Sequence, residues 1–292
     1  IFLSPTYRSL SIWPDSRLPG LLFFITTIYF FLKFKKTYNF KYTWFTCASL
    51  IISSYISPNF SVFFLYFFFF FLKKFTLVKL SLLILFNFLA TLPILYYIFI
   101  LDVNFIFAGR TPGLLGVPTS LNFNFSDKLM IISSIIFFHL SPILLNNKFY
   151  KSFLQFLIKK ATILIIITLV LAYFFNYQTS FTGGGIFYNL SHLLFGNNYL
   201  FFISAFFSIG FIYYISSKDL KNLYLLVLLI ISNIQNTIYH KYYEPLVIII
   251  FFTLFSNLDA KNFLKKRINL LYIYILSIIY ILMRLYKIQY LV

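Results

Sequence analysis

Three titratable side chains crowd into the segment IYHKYYEPLV, where His240, Lys241 and Glu244 fall within five residues. The stretches on either side, 223–237 and 245–258, hold no charged residue at all. An imidazole, an amine and a carboxylate this close can meet a phosphate, orient one another or hold a hydroxyl group. They also suit a plain helix start. A carboxylate just before Pro245 favours the positive end of a helix dipole, and proline fits a first turn. On either reading HKYYE is expected to be a short turn at a membrane surface.

A second group lies in LSPTYRSLSIWPDSRLPG, with Arg8, Asp15 and Arg17 around Trp13 and Pro14. An aromatic side chain at a membrane interface is ordinary anchoring. Arginine also pairs with phosphate through its planar fork, and Arg110 in FAGRTPGLLG adds a third guanidinium. The run Gly183-Gly184-Gly185 could offer backbone N–H groups to a phosphate. It lacks the G-x-x-x-x-G-K-[ST] pattern, and its composition predicts a flexible loop. Asn59, Asn124 and Asn189 each open an N-x-[ST] sequon, Asn59 in too tight a hairpin for a good acceptor. Cys47 is the only cysteine, which excludes an intramolecular disulfide or a multi-cysteine metal site. No metal or cofactor is expected.

These groups must be carried by elements that tolerate lipid. The 292-residue chain is 61% hydrophobic and 24% aromatic, with 10% charged residues. Soluble domains carry about 25% charged residues, so this chain cannot cover itself with polar surface. The net charge of +18 comes from 24 Lys and Arg against 6 Asp and Glu. The cations alternate with apolar runs, as orientation signals do, and no nucleic-acid-binding motif accompanies them. Nucleic acid is therefore excluded as a partner and the lipid bilayer is expected.

With about 20 apolar residues per crossing, ten spans are predicted: 18–34, 42–57, 59–72, 80–101, 128–145, 161–175, 199–216, 223–239, 243–258 and 268–283. Ser57-Pro58-Asn59 splits the run 42–72 into a hairpin, because proline disfavours helix in the residue before it. The split also puts Lys33, Lys35, Lys36 and Lys41 on the same side as Lys73, Lys74 and Lys79. Ten spans place 17 cations on one side and 7 on the other, and the rich side is cytoplasmic by the positive-inside rule. The other side receives Asp15, Asp102, Asp127 and Glu244 and the turn-forming loops. Away from their ends the spans hold one side chain that titrates near neutral pH, His139, whose expected role is helix packing. That scarcity counts against an ion-driven carrier.

Four segments carry a family resemblance: S-P-x-x-R…W-P-D-x-R, the hairpin YISPNF, FAGRTPGLLG followed by a span with FFHLSP, and HKYYEPLV. Together they resemble the membrane glycosyltransferases of the GT-C class. The pattern is closest to the dolichyl-phosphate-glucose-dependent α-1,2-glucosyltransferase family, although HKYYEPL has lysine and glutamate where that family has arginine or phenylalanine. The resemblance implies an all-α polytopic transmembrane bundle with its site at the outer or lumenal face, in a bacterial inner membrane or the endoplasmic reticulum. It implies a polyprenyl-phosphate-sugar donor and a lipid-linked or other glycan acceptor. It also implies a main catalytic carboxylate in a first outer loop. The chain opens at Ile1 without Met, so it reads as one transmembrane domain from the central and C-terminal part of a longer protein. Asp15 does not take the place of that carboxylate. Arg8, Arg17, Arg110 and Lys241 are the expected phosphate partners, while Glu244 is expected to orient His240 or Lys241, or to bind acceptor hydroxyls. A lipid-linked oligosaccharide flippase or other transporter is the alternative, and it requires a polar path through the helices.

Overall fold

Apolar runs punctuated by asparagine, proline and glycine leave the backbone one economical way to satisfy its own hydrogen bonds in lipid, the α-helix. The computed structural model describes residues 17–100, 124–178, 183–217, 219–232, 238–256, 262 and 266–291, and every regular element among them is helical. The helices are α1 (Arg17–Thr37), α2 (Phe40–Ile56), α3 (Phe64–Leu72), α4 (Leu77–Phe99), α5 (Phe125–Leu140), α6 (Asn147–Tyr173), α7 (Gly185–Phe195), α8 (Tyr199–Ser217), α9 (Leu220–Ile231), α10 (His240–Thr253) and α11 (Arg267–Leu291). Asn39, Asn124 and Asn146 open α2, α5 and α6, each accepting an N–H two residues on.

Among the described residues, five stretches are long and apolar enough to cross a membrane: Leu18–Thr37, Leu77–Tyr96, Phe125–Leu145, Asn147–Tyr173 and Tyr199–Ser217. They correspond to five of the ten expected spans. Within the expected spans 59–72, 223–239 and 243–258 the described residues form apolar helices of 10–17 residues, Pro58–Leu72, Leu220–Ile231 and Tyr242–Thr253. At 1.5 Å per residue a 12-residue helix covers about 18 Å, well under a hydrocarbon core of about 30 Å. One helix, α7, arises where the sequence predicted a loop.

The described residues fall into two compact units. In the first, α1 and α2 form an antiparallel pair tied by Ser53 Oγ donating to the Gly20 carbonyl at 2.8 Å and by Thr27 and Ser49 hydroxyls 3.1 Å apart. A 3-10 turn over Pro58–Phe63 then reverses the chain into α3. Lys74 sits 4.3 Å from the Tyr38 ring centroid, and the Phe40 and Phe75 rings are 5.1 Å apart. The two lysine clusters therefore meet at one end, as the hairpin reading requires.

In the second unit α5 is the hub. Its residues Met130, Ile131, Ile132, Ile135 and Ile136 are all fully buried, surrounded by α6, α7, α8 and α10. Phe137 meets Phe211 of α8 at 5.4 Å. Gly210 lets α6 come close, since a Cβ there would stand 2.5 Å from Leu157 Cδ2.

Candidate functional site

The last turn of α5 and the first turn of α10 bring two histidines together. Pro142 lies in the 3-10 turn that follows α5, and His139 is the second-last residue of α5, three before that proline. Its Nε2 is 2.8 Å from Nε2 of His240, the first residue of α10. At this distance the rings share one hydrogen, one imidazole donating and the other accepting. His240 is 6% exposed and stacks on Tyr280 of α11 with centroids 4.6 Å apart, while Phe138 closes another side at 5.8 Å. The second ring nitrogen of His240, Nδ1, is buried without a hydrogen-bond partner. Glu244 lies one turn along α10 and is 3% exposed.

HKYYE is the first turn of a helix that opens four residues before Glu244, and its His240, Tyr243 and Glu244 are buried. Proline removes an N–H and crowds the carbonyl four residues back, which is why Pro245 appeared to mark the helix start. Here Pro245 lies inside α10, which opens ahead of it with the Tyr242 N–H donating to the Tyr239 carbonyl at 3.1 Å. Glu244 makes no direct hydrogen bond to His240, since one imidazole nitrogen meets His139 and the other has no partner.

Three backbone segments hold the approach to α10. The Tyr177 hydroxyl accepts the Ile238 N–H at 2.9 Å, and the Gly184 N–H donates to the Ile238 carbonyl at 3.0 Å. The Tyr188 hydroxyl donates to the Tyr177 carbonyl at 3.1 Å, and Asp127 Oδ1 accepts the Asn176 N–H at 2.9 Å. Burial pushes the Tyr177 phenol up to about 12, against the opposing hydrogen bonds from Ile238 and Gly184.

The glycine run belongs to this clasp, correcting the flexible loop the sequence predicted. Gly183, Gly184 and Gly185 have φ of 110°, 78° and 75°, which L side chains rarely adopt. Gly184 and Gly185 are buried, and a Cβ on Gly185 would lie 2.9 Å from Ile135 Cγ1. With its N–H on Ile238, Gly184 is not offered to a phosphate. Two of the sequons are likewise used structurally. Asn189 Nδ2 donates to the Gly183 carbonyl at 2.8 Å and Asn124 Nδ2 to the Phe174 carbonyl at 2.8 Å.

Of the other expected site residues, Arg8, Asp15 and Arg110 lie outside the described residues. Arg17 and Lys241 are described only as backbone, at the first residue of α1 and the second of α10. The residue that sequence reasoning set aside is His139. Its signal was its isolation, as the one neutral-range titrating group inside the apolar spans. No group of three or more His, Cys, Asp or Glu among the described residues is arranged to hold a metal ion. No protein-family model matches the chain, and comparison with curated proteins and with solved structures found no relative.

Proposed function

We propose that the protein is a membrane glycosyltransferase that moves a sugar from a polyprenyl-phosphate donor to a lipid-linked or cell-envelope glycan acceptor at the outer or lumenal face. The observation that supports this reading is the meeting of FFHLSP and HKYYEPLV, two segments of the family resemblance. They are 101 residues apart in the chain, yet join through the histidine pair. Ionisable groups inside an apolar bundle are costly and are functional candidates by default. Here they gather at one place, beside the buried Glu244. Sugar transfer needs fixed cations for the charge that develops on the departing phosphate and a base near the acceptor hydroxyl. Lys241 and the arginines Arg8, Arg17 and Arg110 are the proposed phosphate partners, with His240 and Glu244 at the acceptor. The bilayer supplies the donor lipid.

The test is donor choice. The purified full-length protein in liposomes is expected to consume a polyprenyl-phosphate hexose and to ignore a soluble nucleotide hexose. Direct use of the nucleotide sugar removes it from the proposed class. Movement of intact lipid-linked oligosaccharide across the bilayer without sugar transfer makes it a flippase.

A further inference from the structure

The unpartnered nitrogen of His240 defines a site more closely than the proposed function does. A buried polar atom without a hydrogen bond costs roughly 1–3 kcal/mol, so native structures rarely leave one unless something else meets it. Nδ1 of His240 is such an atom, on a ring that is 6% exposed and held from two directions. His139 fixes the opposite nitrogen at 2.8 Å, and Tyr280 stacks on the ring face at 4.6 Å. The imidazole cannot swing away to satisfy itself without losing both contacts. It stands at the N-terminus of a 14-residue helix whose N-cap, Tyr239, makes no side-chain cap.

The chemistry of the partner follows from the histidine pair. If His240 donates through Nε2, its Nδ1 is a bare lone pair. If it accepts there, its Nδ1 carries the hydrogen. A phosphate oxygen can meet only the second form, and a metal cation only the first. The metal would also lack a third ligand among the described residues. A hydroxyl can donate or accept, so it suits both forms. It is also neutral, and adds no charge beside the buried Glu244. We infer that Nδ1 of His240 is the docking point for a sugar hydroxyl, positioned by the hydrogen bond from ring to ring with His139. The inference rests on the glycosyltransferase reading for the ligand being a sugar, and it assigns His139 as a positioning residue.

Two substitutions separate the two nitrogens. Glutamine places its amide near Nε2, and asparagine places its amide near Nδ1. His240→Gln keeps the link to His139 and loses the docking atom, whereas His240→Asn does the reverse. The full-length protein in lipid nanodiscs, with ¹⁵N-labelled histidine, is titrated with octyl β-glucoside below its micelle-forming concentration and, separately, with octyl phosphate. The expected result is a shift of the His240 Nδ1 resonance with the glucoside. Affinity should fall roughly tenfold in His240→Gln, the loss of about one hydrogen bond, and change less than about twofold in His240→Asn. A response to octyl phosphate alone overturns the inference in favour of an anion site. No shift with either probe in the wild type overturns it as well, and that measurement stands even where a variant does not fold. Glucoside binding at Nδ1 in a protein that fails the donor test above would retain the site and discard the transferase.

Discussion

Replacing Gly185 by alanine tests whether the glycine run is a packed joint or a slack loop. Helix α7 supplies its own control, because a glycine with positive φ stands at each end. Gly196 at the C-terminal end has φ of 64° and no atom within 4 Å of an added Cβ. Gly196→Ala therefore carries only the conformational cost of a left-handed residue, about 1–2 kcal/mol. Gly185 has φ of 75° and would place its Cβ 2.9 Å from Ile135 Cγ1 and 3.3 Å from Ile135 Cδ1. Those atoms belong to the buried hub helix, so overpacking adds about 1–3 kcal/mol. Gly185→Ala should then destabilise by about 2–5 kcal/mol in all, clearly more than Gly196→Ala. The steric part should vanish in an Ile135→Ala background while the conformational part remains, so a double-mutant cycle isolates it. The assay is unfolding in mixed micelles by increasing fractions of denaturing detergent, followed by far-ultraviolet circular dichroism. Equal losses for the two glycines, or additivity with Ile135→Ala, would refute the packing argument and restore the loop.

Tyr177→Phe leaves the Ile238 N–H without its acceptor and should cost about 1–3 kcal/mol in the same assay. Because the folded phenol is raised from 10 to about 12, its stabilisation is complete below pH 10 and is lost as pH rises toward 12. Tyr177→Phe should remove that component of alkaline unfolding, and an unchanged alkaline profile would contradict the assignment. Asp127→Ala deprives the Asn176 N–H of a charged acceptor and should destabilise by about 1.5–3 kcal/mol, with Asp127→Asn milder because an oxygen remains. Glu244→Gln keeps the shape of a buried side chain and removes its charge. If Glu244 serves the proposed reaction, turnover per folded molecule should fall by about 100-fold while the unfolding midpoint holds. Near-normal turnover would reduce Glu244 to a structural residue of α10.

The amino-acid sequence by itself determined the material and the local breaks. Sixty-one per cent hydrophobic residues with 10% charged residues predict apolar helices, and the described residues form them, five stretches being long and apolar enough to cross a membrane. Ser57-Pro58-Asn59 turns the chain because the steric clash of proline with its neighbour is local and needs no tertiary partner. Proline misled at Pro245 for the complementary reason. Its clash disfavours helix in the residues before it without forbidding one, and α10 runs through Pro245 with Tyr243, Glu244 and Leu246 buried around it. Glycine composition likewise gives freedom in the unfolded chain and says nothing about what fills the space around it. Ile135 and the Ile238 backbone make Gly183–Gly185 a joint, and both are distant in sequence. The histidine pair is the clearest case. His139 and His240 were each visible as an unusual residue, but a contact across 101 residues is set by how α5 and α10 cross. No local rule encodes that crossing, because it is fixed by the shape of the whole buried surface between the helices.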